Sequence, residues 1–420
     1  MLSFFVITAR RLVKEKFYAL VCVLSLSLGI ASSLLISLYL LSELTYDEYH
    51  ENHDRIHRIV THIGPISAAF AGYETAPILV RDNPQFLDYI RFIDATEKRF
   101  NYGDNENTWD KVFLTDPSAF KHFTFVPKYG ELDGALADPY SIAISESFAE
   151  FYFGDRDPIG ELLSTERFEF RVTLVYEDPP YNVSQKYDAL IPATLLEVYQ
   201  PDYQDNFGDR YLAGNGTSYL YVANDFDPDS MTAAASYFFD TYIAEDIGTL
   251  GDLGSYTLTT QKLSEIRFGP DLLLDDTGGN IVNLYLFAAM AIALLAISTI
   301  NYANLATARA AVRVREVAMK KILGASRQAL VLQFLGESLL FVSLAVVFGL
   351  LLAAAALQLP TTQAFVGYSE LSSIFSSPSN LLYFLLALIV VAMISGLYPA
   401  IHLARQSALS AFRPAGHSGR

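Results

Sequence analysis

FYALVCVLSLSLGIASSLLISLYLLS, residues 17–42, carries no charged side chain between Lys16 and Glu43. Its 26 residues exceed the roughly 20 that a helix needs to cross the hydrocarbon core of a bilayer. A cleaved signal peptide is the rival reading. The run is too long for one, and no small-residue cleavage site precedes Glu43. Three further uncharged runs follow: 277–308, centred on IVNLYLFAAMAIALLAIST; 339–359, LLFVSLAVVFGLLLAAAALQL; and 381–401, LLYFLLALIVVAMISGLYPAI. We expect four transmembrane helices, at 18–42, 281–303, 335–359 and 381–403.

The rest of the composition agrees. Of 420 residues 52% are hydrophobic and 18% charged, which excludes a disordered or collagen-like chain. The net charge of −17 argues against nucleic acid as a partner, since that affinity comes from Lys and Arg meeting phosphates. Cys22 alone excludes a disulfide framework and a cysteine-cluster metal site.

Charge also orients the chain. Residues 1–18 hold four bases against one acid, 304–333 six against one, and 402–420 three against none. Residues 43–276 hold 42 acids and 16 bases. Lys and Arg in short segments stay cytoplasmic, whereas a long domain translocates regardless of its charge. The sequence therefore places a cytoplasmic N-terminus (1–17), a cytoplasmic loop (304–334) and a cytoplasmic tail (404–420) inside. A large domain (43–280) and a loop (360–380) lie outside.

Ser25, Gly29 and Ser33 recur at every fourth position of the first helix. Small residues on one face let another helix approach closely, although they are common in membrane helices generally. Glu337, at the inner end of the third helix, reads as an interfacial anchor, because a carboxylate deeper in the bilayer is costly.

The outer domain reads as mixed α/β. HRIVTHI (57–63), FRVTLVYED (170–178) and YTLTTQKLSEIRF (256–268) are strand material; 76–93 is a helix, a Pro break and a strand; DPDSMTAAASYFFDTYIAED opens on acidic cap candidates and continues with helical spacing. Two helix-plus-strand blocks, near 64–100 and 219–268, flank a strand-rich middle, which suggests a discontinuous subdomain with an insertion.

Three patterns invite chemistry and fall short of it. His53 and His57 stand at i, i+4 with Asp54 between, a loose echo of a zinc-peptidase motif. Glu is missing as base, and a segment entering a strand separates such residues by about 13 Å. Asp225, Asp227 and Asp229 imitate the start of a calcium loop, but Ser230 and Ser236 stand where Gly and Glu are required. Asn182 and Asn215 head glycosylation sequons that arise often by chance. No GxxxxGK[ST], GxSxG or strand-linked GxGxxG occurs, so we expect no catalytic and no metal residues.

The inner loop is more telling. In RAAVRVREVAMKKILGASRQALVLQFLGESLL (309–340), Arg313, Glu316, Lys320 and Lys321 share one helical arc. Val312, Val314, Ala318, Met319, Ile322 and Leu323 share the other, with Arg315 and Val317 as exceptions. Glu316 and Lys320 can pair at i, i+4. Gly324 suits a left-handed helix stop, and Ser326 can cap the helix that follows. Such a basic amphipathic helix either rests on lipid headgroups or docks a cytosolic partner.

At this point the chain resembles the FtsX/MacB-like ABC transporter permeases. The resemblance is carried in order by 27–60, by TDPSAFKHFTF (115–125), by 141–163 with 170–192, by REVAMKKILGASRQALVLQFLGESLL (315–340) and by SGLYPAIHLARQSALSAFRP (395–414). It implies a four-helix membrane protein with a large extracytoplasmic α/β domain between helices 1 and 2. That MacB-like periplasmic core domain would comprise a porter-like part (46–114 and 219–280) interrupted by a sabre-like part (115–218).

The resemblance also implies a coupling helix within 309–327 that docks on an ATPase, a role carried to Arg315, Glu316, Lys320, Lys321, Gly324, Ala325, Ser326 and Arg327. With no P-loop in the chain, ATP and Mg are expected on a separate cytosolic ABC ATPase, and no cofactor on this chain. A second permease chain, identical or paralogous, would complete the usual pair. A periplasmic adaptor and an outer-membrane channel are further partners the family offers.

The implied location is the bacterial inner membrane, with multiple passes and both termini cytoplasmic. The implied function is export or extrusion driven by the separate ATPase. The rival readings are mechanotransmission to a cell-envelope partner, lipoprotein handling without transport, and a membrane-tethered enzyme using His53 and His57.

Overall fold

The computed structural model describes residues 16–212, 214, 216–244, 255–275, 278–312, 314–367, 371–372 and 378–405. The chain divides into two compact units, Thr45–Asn280 and the remainder on either side of it.

Within the helical unit, α1 (Lys16–Leu44) packs against the helix Ile281–Val312 and the helix Arg327–Ala356. Leu26, Ile30, Leu34 and Leu38, spaced one turn apart, form its buried stripe and meet Val342 and Ala345. This makes α1 the central helix. Of its most apolar window 56% is buried, against 6% for 281–308 and 22% for 328–356.

Among the described residues three helices are long and apolar enough to span a bilayer: Lys16–Leu44, Ile281–Ala308 and Gln328–Ala356. The fourth expected span lies in the helix Pro378–Arg405, whose described apolar stretch, Pro378–Val391, is shorter. The second long helix does not stop at 303 as expected. Residues 304–312 are rich in Ala and contain neither Gly nor Pro, so nothing ends the helix before Val312.

Thr45–Asn280 is built on one mixed sheet with thirteen strands among the described residues. In chain order they are β1 (Ile56–Ile63), β2 (Ile66–Ala68), β3 (Phe86–Asp94), β4 (Arg99–Tyr102), β5 (Asn105–Thr108), β6 (Val112–Thr115), β7 (Pro127–Gly130), β8 (Ser141–Ser145), β9 (Leu162–Ser164), β10 (Glu169–Tyr176), β11 (Ala189–Pro192), β12 (Gly216–Val222) and β13 (Tyr256–Lys262). The path across the sheet is β13-β1-β12-β3-β6-β11-β8-β10-β9-β4-β5, with β2 on β1 and β7 on β10.

The first four strands of that path come from the two ends of the domain sequence, and α2 (Thr75–Asp82) and α3 (Ser230–Phe238) supply Ile78, Leu79, Met231 and Phe238 to their core. Every later strand comes from 99–192. The sheet thus passes from the outer segments to the inserted one between β3 and β6. β4, β5 and most of β6 lie with the insertion, whereas the sequence reading drew its boundary after 114.

Burial explains the strand patterns. β8 (SIAIS) and β11 (ALIP) are buried at every position, as strands covered on both faces should be. α4 (Glu146–Phe153) follows β8 directly. Ser145 caps it by accepting the Phe148 N–H, and Phe148, Tyr152 and Phe153 enter the core. Arg91 on β3 crosses toward the chain beyond β6. Its Nε and Nη2 donate to the two oxygens of Asp116, at 2.9 and 2.7 Å, and its Nη1 to the Tyr73 carbonyl. This buried fork ties the two segments of the sheet together.

Candidate coupling hairpin and helix packing

The inner loop folds as a helical hairpin. α5 (Ile281–Val312) is followed by α6 (Val314–Ile322), a turn, and α7 (Arg327–Ala356). Gly324 adopts φ +92°, a conformation open to glycine and strained for other residues. The Ala325 N–H reaches back to the Lys320 carbonyl at 2.9 Å, the six-to-one bond of a Schellman stop. Ser326 then caps α7, its hydroxyl accepting the Ala329 N–H at 3.2 Å. Stop and cap stand two residues apart, which turns the chain back on itself.

The turn decides which face of α6 is buried. Val317 packs with Leu330 and Phe334 of α7, and Ala325 and Val331 close the cluster. The apolar arc read from helical spacing is therefore split. Val317, read as an exception, and Ala318 are buried, whereas Met319, Ile322 and Leu323 stand exposed, Leu323 at 85%. The seam is set by the fold-back onto α7 and not by the hydrophobic face of α6 taken alone.

Lys320 also turns toward α7. Its ammonium donates to Gln333 Oε1 at 3.1 Å, and Gln333 Nε2 donates to Glu337 Oε1 at 3.3 Å. Glu337 is buried inside the helical unit, so its carboxylate is held by protein partners. The backbones of Arg315, Glu316 and Lys321 lie in α6 and that of Arg327 opens α7. Their side chains, and the expected Glu316–Lys320 pair, fall outside the described residues.

The small residues of α1 all meet α5. Ser25 Oγ accepts from Asn301 Nδ2 at 2.7 Å, and Ser33 Oγ donates to the Ala291 carbonyl at 2.9 Å. Gly29, midway, lies against Ser298: a β-carbon there would sit 2.5 Å from Ser298 Cβ. Deeper in α7, Gly349 lies against Ile30, where a β-carbon would sit 2.9 Å from Ile30 Cγ2. The two sides of α1 thus meet the helices that precede and follow the hairpin.

The domain Thr45–Asn280 opens on a buried anchor. Asp47 adopts φ +65° and is fully buried. Its carboxylate accepts the Ser184 N–H at 2.6 Å and the Ser184 hydroxyl at 2.5 Å, and its own N–H donates to the Asn182 carbonyl. Burial raises its pKa to about 6 against the pull of those bonds. Nearby, buried His50 accepts the Thr124 N–H through Nδ1, and burial, with His53 beside it, lowers its pKa to about 4.

The patterns that echoed catalytic motifs resolve into structure. His53 lies in a turn, with Nδ1 against the His50 carbonyl. His57 is buried on β1 with its ring edge-on to Phe226, and desolvation lowers its pKa to about 4. Asp227 accepts the Asp229 N–H at the start of α3. The Asn182 side chain donates to the Thr45 carbonyl, and Asn215 falls outside the described residues. Among the described residues no group of three metal-ligating side chains converges.

Residues 288–408 match the family model described as FtsX-like permease C-terminal. That span contains most of α5, the whole hairpin and the helix Pro378–Arg405. No curated protein matches the chain. Among solved structures, a domain from Porphyromonas gingivalis, from a protein named as a permease, is 20% identical and covers 57% of this chain and 99% of its own at TM-score 0.43. The periplasmic region of MacB from Actinobacillus actinomycetemcomitans is 12% identical, covering 50% and 90% at TM-score 0.36. The extracellular domain of the ABC-type transporter YknZ from Gram-positive bacteria is 13% identical, covering 49% and 99% at TM-score 0.34. The family match is confined to residues 288–408, and through that region the chain is similar to the C-terminal part of the FtsX-like permeases.

Proposed function

We propose that the chain is the permease subunit of an ABC transporter in which a separate cytosolic ATPase drives motion of the extracytoplasmic domain to export or extrude a substrate. The observation that carries the reading is the hairpin α6–turn–α7, which lies inside the FtsX-like permease match and exposes Met319, Ile322 and Leu323 in a basic segment. In this reading both termini and the hairpin are cytoplasmic, in keeping with their Lys and Arg excess, and the helix Pro378–Arg405 is the fourth span. ATP and Mg bind on the partner, because these 420 residues contain no phosphate-binding GxxxxGK[ST] loop.

Motion passes from the hairpin into α5 and α7, and from both into α1. Rigid helices that repack at discrete interfaces are a known route for such transmission. The four apolar runs contain no charged residue, which favours work on a substrate already outside the membrane over passage of a charged one through it. The exposed apolar surface of α5, including Tyr285, Leu286, Ile292 and Ile297, is available to lipid and to a second permease chain.

The test is purification of the tagged chain from native membranes in mild detergent. The wild type brings down nucleotide-dependent ATPase activity. Glu316→Lys loses that activity at unchanged yield and melting temperature, and adding Gly324→Pro, which breaks the turn at some cost in stability, does not restore it. Undiminished activity in the variant refutes the coupling role of the hairpin.

A further inference from the structure

One face of the sheet carries a cavity of about 500 Å3 within Thr45–Asn280, a volume suited to a drug-sized organic molecule. Strand register builds it. Arg58 stands opposite Tyr219, Thr217 opposite Phe92, and Asp94 opposite Phe113, so these side chains share one face across β1, β12, β3 and β6. Phe70, Phe92 and Phe113 give it an aromatic wall, and the segment Val183–Lys186 closes one side.

Its charge runs against that of the domain. The two acids in the lining are already matched: Asp275 with Arg58 at 2.6 Å, and Asp94 with Lys98 at 2.9 Å. Lys111 and Lys186 also line the cavity, and among the described residues neither ammonium has a carboxylate within ion-pair distance. Lys186 lies over the Tyr181 ring at 4.2 Å, and the nearby Asp188 carboxylate takes the Lys111 backbone N–H. Arg58 is 2% exposed, and its Nε has no hydrogen-bond partner.

A buried guanidinium N–H without an acceptor is costly to leave unsatisfied, and Lys111, exposed at the rim, and half-buried Lys186 add positive charge beside the aromatic wall. Burial, with Lys111 and Arg267 close by, lowers the Lys186 pKa, as expected where cations crowd without an anion.

We propose that this cavity binds an amphiphilic organic anion, with a carboxylate or phosphate headgroup at Lys111, Lys186 and Arg58 and an apolar body along Phe70, Phe92 and Phe113. The site stands on the geometry of the domain alone and does not depend on the transport reading.

The test is calorimetric titration of the full chain in nanodiscs, with empty discs as the blank. The probes are 6-phenylhexanoate, 6-phenylhexyl phosphate, 6-phenylhexan-1-ol and 6-phenylhexylamine, which share one body and differ in headgroup. At least one of the two acids binds saturably and at least tenfold tighter than the alcohol, and the tighter acid names the headgroup. The amine does not bind. Lys111→Gln with Lys186→Gln weakens the acid at least tenfold without lowering the melting temperature. Phe113→Leu, which shortens the wall and keeps the charges, weakens acid and alcohol alike. The proposal is overturned if neither acid binds saturably, if acid and alcohol bind equally, or if the lysine variant binds the acid as the wild type does.

Discussion

Gly29→Ala is the sharpest perturbation of the proposed transmission path. The added β-carbon would lie 2.5 Å from Ser298 Cβ and 3.3 Å from the Leu294 carbonyl oxygen. Ordinary contact begins near 3.4 Å, so α1 and α5 must separate by roughly 1 Å at this level. The hydrogen bonds on either side, Ser33 to Ala291 at 2.9 Å and Asn301 to Ser25 at 2.7 Å, then stretch beyond useful length. Overpacking costs about 1–3 kcal/mol, and interhelical hydrogen bonds in membranes average about 0.6 kcal/mol each. The helical preference of Ala over Gly returns about 1 kcal/mol, which leaves a net loss of about 1–3 kcal/mol.

The assay is thermal unfolding of the purified chain in one detergent, with ATPase activity of the co-purified complex as a second readout. Ser298→Gly in the same chain should restore part of the loss by vacating the space, and alone it should cost less than Gly29→Ala. A Gly29→Ala protein as stable as the wild type, or a double variant worse than the sum of the singles, would refute the close approach at Gly29.

The remaining predictions concern local devices. Gly324→Ala forces a side chain into φ +92° and should cost about 1–2 kcal/mol, seen as faster amide exchange across 320–330. Ser326→Ala should remove about 1 kcal/mol of cap stability and speed exchange at Ala329. Asp116→Ala strands the buried Arg91 guanidinium and should lower stability by about 3–5 kcal/mol in denaturant unfolding, with Arg91→Met together with Asp116→Leu far milder.

His50 is neutral in the fold, with a pKa near 4 against 6.5 when unfolded. Its contribution is therefore present above pH 6.5 and lost as pH falls toward 4, by about 3 kcal/mol. Comparing wild type with His50→Asn at pH 7 and pH 4 isolates that loss, and equal acid sensitivity would contradict it. Asp47 has the opposite sign. Its raised pKa favours the fold below the ordinary carboxylate range, and that contribution fades as pH rises through about 6. Asp47→Asn should flatten that slope.

What was legible in the sequence was local. Uninterrupted apolar runs announced α1, α5 and α7, because a membrane helix must satisfy its backbone within a single segment. Gly324 and Ser326 marked the stop and cap of the hairpin, because each acts on neighbours within a few residues. The interruption of one set of strands by another was visible as helix-and-strand blocks at both ends of the domain. Its boundary was not, because the pairing of β4 with β9 and of β6 with β11 depends on partners far along the chain.

The same limit explains the face of α6. Helical spacing describes an isolated helix, and the contact of Val317 with Leu330 and Phe334 exists only after the turn at Gly324 folds the chain back. The cavity was invisible for a related reason: Arg58, Lys111 and Lys186 belong to different segments, and the shared sheet face brings them together.

The coupling role of the hairpin turns on what its exposed tip touches. The most direct measurement places a single cysteine at Leu323, with the native Cys22 changed to Ala, labels it with a benzophenone maleimide in native membranes, photolyses, and identifies the adduct by mass spectrometry. A coupling hairpin yields a protein adduct carrying peptides of a P-loop ATPase, suppressed by Gly324→Pro. An adduct with lipid alone, or labelling by a membrane-impermeant reagent from the outer side, would contradict it.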